Sequence, residues 1–235
     1  MQTVYYIILV PMVYVSFAVF LVGTVTRLVK VFREAKNPTT LQIFPARKPG
    51  GILALYDSFL MPAVAREKPL FWIFLGLFHI CFLLLLIGHL ELFKVFNVFQ
   101  VIPHEVFLGK GFVGLLLSLC LLFFLFRRFR SPYRELSVPE DYYLLILLFL
   151  AVLFGSQMDW ARRWYDYGGI TAEDYRTYLV SLLHLKPKLS SVTGSGHSFM
   201  LVLHVFFANL VLLFFPFSQL MHSCFSFPLN KLKRG

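Results

Sequence analysis

The sequence has 235 residues, of which 58% are hydrophobic and 14% are charged, and its formal net charge is +10. This composition is too apolar for an ordinary soluble domain and is typical of a membrane protein. One composition persists along the chain, which predicts a single membrane domain over residues 1–235. The three cysteines form no C-x-x-C pair, so the usual zinc, iron–sulfur and covalent haem frameworks are not predicted.

Five apolar stretches are long enough to cross a membrane. A hydrocarbon core of about 30 Å requires roughly 20 apolar residues in a helix. The stretches cover residues 4–26, 70–93, 106–126, 142–158 and 198–222, and the fourth is the shortest. The predicted fold is therefore an all-α integral membrane protein with five transmembrane helices.

Lys and Arg residues are concentrated in three segments: between the first two spans, between the third and fourth, and after the fifth. The positive-inside rule places these segments in the cytoplasm, the N-terminus outside and the C-terminus inside. The net charge is thus mainly a signal of topology, and no nucleic-acid binding is predicted. The inner basic surface is also suited to docking a cytoplasmic partner.

The longest segment predicted on the outer side separates the fourth and fifth spans. Within it, residues 171–174 read Thr-Ala-Glu-Asp, a pattern that resembles a helix-start capping box. Apolar and Tyr residues then recur at helical spacing until Lys186-Pro187. A short interfacial helix on the outer face is predicted here.

Four of the seven histidines lie within the predicted spans or at their ends, namely His79, His89, His204 and His222. A polar side chain inside a bilayer is costly and usually marks a pathway or a cofactor. His79 and His89 are ten residues apart, or about 15 Å of helix, and fit one bundle-facing stripe. His204 and His222 are eighteen apart, or five turns of a continuous helix, and would share one face.

The second and fifth spans run in opposite directions, so they would pair His89 with His204 on the outer side and His79 with His222 on the inner side. A haem iron with two axial imidazoles requires one ligand on each side. The four residues therefore predict two haem b groups. The axial rises differ, about 27 Å against about 15 Å, unless tilt or a bend at Pro216 reduces the difference. His197 with His204 is the alternative ligand pair from the fifth span.

Several short stretches together carry a family resemblance. They are Ala18–Gly23 with Arg27, Leu77–Ile80, Ile87–Leu90, Arg127-Arg128 with Ser131-Pro132, Leu203-His204, and Phe215–His222. The chain resembles the gamma subunit of respiratory nitrate reductase. It also resembles that subunit's relatives, the membrane cytochrome b subunits of heterodisulfide reductase and of the sulfite-reduction-linked electron transport complex. The two histidine spacings match the haem-ligand spacings of this family, which favours His222 over His197.

The resemblance implies a diheme cytochrome b in a bacterial or archaeal cytoplasmic membrane. Such a subunit anchors a cytoplasmic iron–sulfur subunit, joins further membrane or periplasmic subunits, and exchanges electrons with menaquinol or another quinol. It would serve a quinol-oxidising complex, although the sequence equally allows quinone reduction. The outer segment 159–196 is rich in Trp, Tyr and Arg, which favours the sulfur-linked or heterodisulfide-reductase-like branch.

The resemblance also implies a quinol site near the start of the third span, where residues 102–106 match that region of the family. The family uses a lysine there, and Lys110 is the candidate in this sequence. His104 and Glu105 are alternative groups for taking a quinol proton. The competing interpretation of all three is an ordinary hydrated end of a span.

Two other classes of protein fit the same composition. One is a transporter or proton channel that uses the histidines without haem. The other is a purely structural anchor whose histidines are buried by packing. Absorption of visible light separates a haem protein from both.

Overall fold

The computed structural model describes residues 2–34, 50–93, 102–165, 169–194 and 198–234. Helices dominate this part of the chain, and it contains no β-strand. Five helical segments are long and apolar enough to cross a membrane: Gln2–Arg33, Pro69–Leu92, His104–Arg128, Pro139–Trp164 and Ser198–Phe217. The prediction of an all-α membrane protein with five spans is confirmed, whereas the orientation and the single domain stay predictions.

The α-helices are, in chain order, α1 (Gln2–Leu9), α2 (Pro11–Glu34), α3 (Gly50–Phe59), α4 (Pro62–Glu67), α5 (Pro69–Leu92), α6 (His104–Leu108), α7 (Phe112–Arg128), α8 (Tyr133–Leu136), α9 (Pro139–Trp164), α10 (Ala172–Leu183), α11 (Ser190–Thr193), α12 (Ser198–Phe214) and α13 (His222–Arg234). Two units are distinguished by their internal contacts. The first comprises Met1–Val15 and Leu77–Val211, and the second comprises Ser16–Gly76 and Leu212–Gly235.

The fourth span is longer than the sequence predicted. Helix α9 has 26 residues, so the expectation that this span is the shortest is wrong. At its start, Asp141 accepts a hydrogen bond from the Val138 N–H at 3.0 Å. Near its end, Asp159 accepts bonds of 2.7 Å from both Arg162 and Arg163. Because Asp159 pairs with the charged groups of Arg162 and Arg163, the helix continues beyond the apolar window at 142–158.

The fifth span is not one continuous helix to His222. Helix α12 ends at Phe214 and is followed by a 3₁₀ turn, Phe215–Phe217. Pro216 lacks the N–H that would continue the helix, and Ser218 is extended, with φ −115° and ψ 176°. His222 is the first residue of α13. The five-turn rise expected for one continuous helix from His204 to His222 therefore does not apply.

In the first unit, α10 packs on a core shared with α1 and α12. Its buried side chains Tyr178 and Leu182 join a cluster that includes Leu9 and Leu201. Tyr178 also donates a 2.6 Å hydrogen bond to the Leu9 carbonyl. The predicted helix after Thr171 is confirmed, and its buried face contacts protein.

Helices α7 and α9 also pack together in the first unit. Gly114 faces Ser156 so closely that a side chain at position 114 would collide with it. Nearer the other end of this helix pair, Arg128 forms a 2.8 Å ion pair with Asp141. These contacts fix the start and the end of α7 against α9.

The second unit contains three helices that were not predicted from the sequence: α3, α4 and α13. Helix α3 packs against α13, and Asn230 donates a 2.9 Å hydrogen bond to Ser58. Within the same unit, Gly23 allows the first span to approach the turn at Pro216, since a Cβ at position 23 would lie 2.7 Å from the Pro216 Cβ.

Candidate functional site

His89 and His204 face each other within the first unit. Their ring centroids are 5.9 Å apart and the ring planes are inclined by 29°. His89 comes from the last turns of α5, and His204 comes from the second turn of α12. The structure thus brings together two of the four intramembrane histidines singled out from the sequence.

Both rings are oriented by backbone carbonyls. His89 Nδ1 lies 2.6 Å from the Leu85 carbonyl oxygen, one turn earlier in α5. His204 Nδ1 lies 2.8 Å from the Ala151 carbonyl oxygen of α9. A carbonyl only accepts, so each neutral ring carries its hydrogen on Nδ1 and keeps the lone pair on Nε2. This tautomer is the one that a metal-ligating imidazole adopts when its other nitrogen is hydrogen-bonded.

Gly155 on α9 makes room for the His204 ring. A Cβ at position 155 would lie 2.8 Å from Nδ1 and 2.9 Å from Cε1 of His204. Contacts this short do not occur in folded proteins without displacement of one partner. The absence of a side chain at Gly155 is therefore a condition for the observed position of His204.

The separation of the two rings is suited to holding a haem iron. Metal–imidazole bonds are about 2.0–2.1 Å, and adding roughly 1 Å from each nitrogen to its ring centre gives about 6 Å between centroids. Among the described residues no three His, Cys, Asp or Glu side chains could hold a metal by themselves. A haem iron needs only two protein ligands because the porphyrin supplies the others.

The other two histidines of the predicted set lie in different units. His79, in the first unit, is exposed on α5 and packs edge-on against Phe78, with centroids 5.2 Å apart. His222, in the second unit, is exposed, and its Nδ1 lies 2.9 Å from the Gln219 carbonyl oxygen. Their pairing stays a prediction. His197, the alternative ligand, lies outside the described residues.

The three candidates for a quinol site have different surroundings. His104 Nδ1 lies 2.8 Å from Glu91 Oε2, and its side chain is only 14% exposed. Glu105 is 69% exposed and lies 3.6 Å from Arg163. Lys110 adopts φ +54° in a turn between Gly109 and Gly111, which also have positive φ. Of these three, His104 is the one held by a buried carboxylate.

Glu91 and Arg176 were missed by the sequence analysis. Glu91 is 2% exposed near the C-terminal end of α5, and Arg176 of α10 donates to its Oε1. A charged residue inside a predicted span is a signal of function by itself, so Glu91 was detectable from the sequence. Arg176 was not, because its partner lies 85 positions away in the chain.

The fold and this site define a class: a multi-pass membrane protein in which two oriented imidazoles from the second and fifth spans oppose each other. The family model of the nitrate reductase gamma subunit matches residues 64–235. The chain belongs to this family, as the resemblance in the sequence predicted. The matched region includes all four histidines of the predicted ligand set.

Two archaeal proteins are similar over most of the chain. Both are named Hdr-like menaquinol oxidoreductase cytochrome b-like subunit. The one from Archaeoglobus fulgidus is 26% identical over 261 aligned positions, which cover 92% of this chain and 75% of the relative. The one from Archaeoglobus profundus is 26% identical over 252 positions, which cover 89% of this chain and 73% of the relative.

Proposed function

We propose that this chain is a diheme cytochrome b subunit that anchors a quinol oxidoreductase complex in the membrane. It exchanges electrons between menaquinol, or another quinol, and a cytoplasmic iron–sulfur subunit. The observation that carries the proposal is the opposed pair His89 and His204, 5.9 Å apart with both Nδ1 atoms on backbone carbonyls. Family membership and the names of the two archaeal relatives support it.

In this proposal the chain supplies axial ligands and orientation. His89 and His204 hold the outer haem, and His79 and His222 hold the inner one. When bound, the haems supply one-electron oxidation and reduction. Quinol binds near the outer haem at the end of α5, close to His104, and two further candidates, Glu105 and Lys110, lie next along the chain.

The iron–sulfur partner would dock on the predicted cytoplasmic face beside the loop that follows α7. Arg127 and Arg128 end α7 just before this loop, and the exposed residues Arg130 and Arg134 follow them. Arg127 stacks over the Tyr133 ring at 3.6 Å, and Arg128 pairs with Asp141. The loop is therefore held by its own contacts and presents exposed positive charge to a partner.

The test is the visible spectrum of the purified chain, recorded before and after addition of a naphthoquinol as the electron donor. The proposal predicts split b-type absorption bands that appear when the quinol is added. A colourless protein would contradict the proposal and favour the haem-free transporter or anchor. Bands that respond to dithionite but not to quinol would contradict the quinol assignment alone.

A further inference from the structure

A buried carboxylate lies two residues after His89. Glu91 is 2% exposed, and a carboxylate in such surroundings is tolerated only when it is paired. It has a separate partner for each oxygen. Arg176 donates to Oε1, and His104 Nδ1 lies 2.8 Å from Oε2. Glu91 thus joins α5 to the start of α6 and to the middle of α10.

The 2.8 Å contact with Glu91 favours one tautomer of His104, although its angle falls outside hydrogen-bond geometry. A carboxylate only accepts hydrogen bonds, so the Nδ1 atom that lies against Glu91 carries the hydrogen. In the neutral ring the lone pair is then on Nε2, which is left to accept a bond from a hydroxyl group. The His104 side chain retains 14% of its exposure, so the ring is not enclosed on every side.

His104 lies against the turn of α5 that carries His89. A Cβ at Gly88 would lie 3.2 Å from the Phe107 Cβ and 3.8 Å from His104 Cε1. The absence of a side chain at Gly88 therefore lets α6 pack closely on α5, one residue before His89. A ligand bound to His104 Nε2 would be beside the proposed outer haem ligand.

Helix α10 holds Glu91 in place. Arg176 binds Glu91 with one amino group and Glu173 with the other, the latter at 3.2 Å. The same helix is fixed to the core through Tyr178 and Leu182. Arg176 is thus presented to Glu91 by a helix whose own position is set by buried apolar contacts.

We propose that Glu91 is a positioning residue for quinol: it orients His104 so that Nε2 accepts a hydrogen bond from a quinol hydroxyl, and Arg176 holds Glu91 in that position. The inference rests on the proposed function and deepens it by naming the hydrogen-bond acceptor and the two residues that act through it. Glu91 and Arg176 do not touch the quinol themselves.

Binding of a fluorescent hydroxyquinoline N-oxide, a quinol analogue, to the full-length protein provides the test, with its Kd measured by quenching. Loss of one hydrogen bond in a buried site weakens binding by about tenfold. We expect a Kd about tenfold higher for both His104→Ala and Glu91→Gln. The double variant H104A/E91Q should bind no more weakly than H104A, because Glu91 acts only through His104. His104→Gln, which restores an acceptor, should recover part of the affinity.

The matched control is Glu173→Gln, which removes the other carboxylate from Arg176 without touching His104. We expect its Kd to stay within about twofold of the unaltered chain. If E91Q proves unstable because Arg176 loses its buried partner, the neutral pair E91Q/R176Q replaces it in the same comparison.

The outcomes separate this inference from the function on which it rests. An unaltered chain without a b-type spectrum overturns the proposed function. An unchanged Kd in H104A and E91Q, in proteins that keep the spectrum, overturns the inference alone. Fully additive effects in H104A/E91Q also overturn it, because Glu91 would then act independently of His104.

Discussion

Gly155 and His204 show how one residue without a side chain sets the geometry of the candidate site. The ring of His204 occupies the space that a Cβ at position 155 would require. The same ring is held by the Ala151 carbonyl at 2.8 Å. Two residues one turn apart on α9 therefore fix the orientation of an imidazole on α12.

We predict that Gly155→Val displaces His204 and removes the haem that it holds, because the new side chain overlaps the ring. The measurement is haem content per chain in purified protein. Gly76→Ala is the matched control, since position 76 also lies in a membrane span and nothing lies within 4 Å of a Cβ there. Full haem content in G155V would contradict this explanation of the site.

The sequence predicted the histidines but not all of their polar neighbours. Spacings of ten and eighteen within apolar runs singled out His79, His89, His204 and His222. Glu91 lies inside a predicted span, and an intramembrane carboxylate calls for a partner. The identity of that partner, Arg176, depends on how α10 folds back, and no local pattern encodes this.

At the scale of elements, α10 is the clearest case of local sequence deciding structure. Thr171 Oγ1 accepts a 3.2 Å hydrogen bond from the Asp174 N–H, and Asp174 accepts one of 2.8 Å from the Thr171 N–H. This is the reciprocal capping box that the sequence predicted. Because the motif is complete within four residues, it could be recognised without knowledge of the fold.

We predict that Thr171→Ala weakens the first turn of α10 by about 1 kcal/mol, whereas Thr171→Ser, which keeps the hydroxyl, has little effect. Hydrogen exchange of the amides at the start of α10 provides the measurement. Equal exchange rates in T171A and T171S would contradict a capping role for the hydroxyl.

The same box is expected to respond to acid. Hydrogen bonds from Thr171 hold the pKa of Asp174 below its ordinary value of 3.8. A carboxyl group with a lowered pKa stabilises the folded state above its ordinary pKa, and this contribution is lost as the pH falls through the lowered value. Amide protection in the first turn of α10 should therefore be constant near neutral pH and decrease below about pH 3.8. Protection that does not change down to pH 2 would contradict this assignment.

The breaks and extensions of the spans were harder to predict than their existence. Hydropathy treats residues 198–222 as one run, whereas the backbone leaves the helix at Pro216 and Ser218. Helix α9 shows the opposite error, because Asp159 pairs with both Arg162 and Arg163 and the helix continues through these charged residues. In both cases hydrogen bonding decides where the helix ends, and hydropathy alone does not detect it.

At the scale of the whole molecule, composition predicted the class of the fold. A chain that is 58% hydrophobic with five long apolar runs has few alternatives to a helical membrane protein. The helices α3 and α13, which pack together in the second unit, lie largely outside those runs. Their pairing is tertiary and was therefore not predictable from hydropathy.

Haem stoichiometry tests the central claim most directly. The pyridine haemochrome assay should find two b-type haems per chain in the unaltered protein. It should find one in the double variant H89A/H204A, in which only the opposed pair is removed, and one in H79A/H222A. Two haems retained in H89A/H204A, or none in the unaltered protein, would contradict the account.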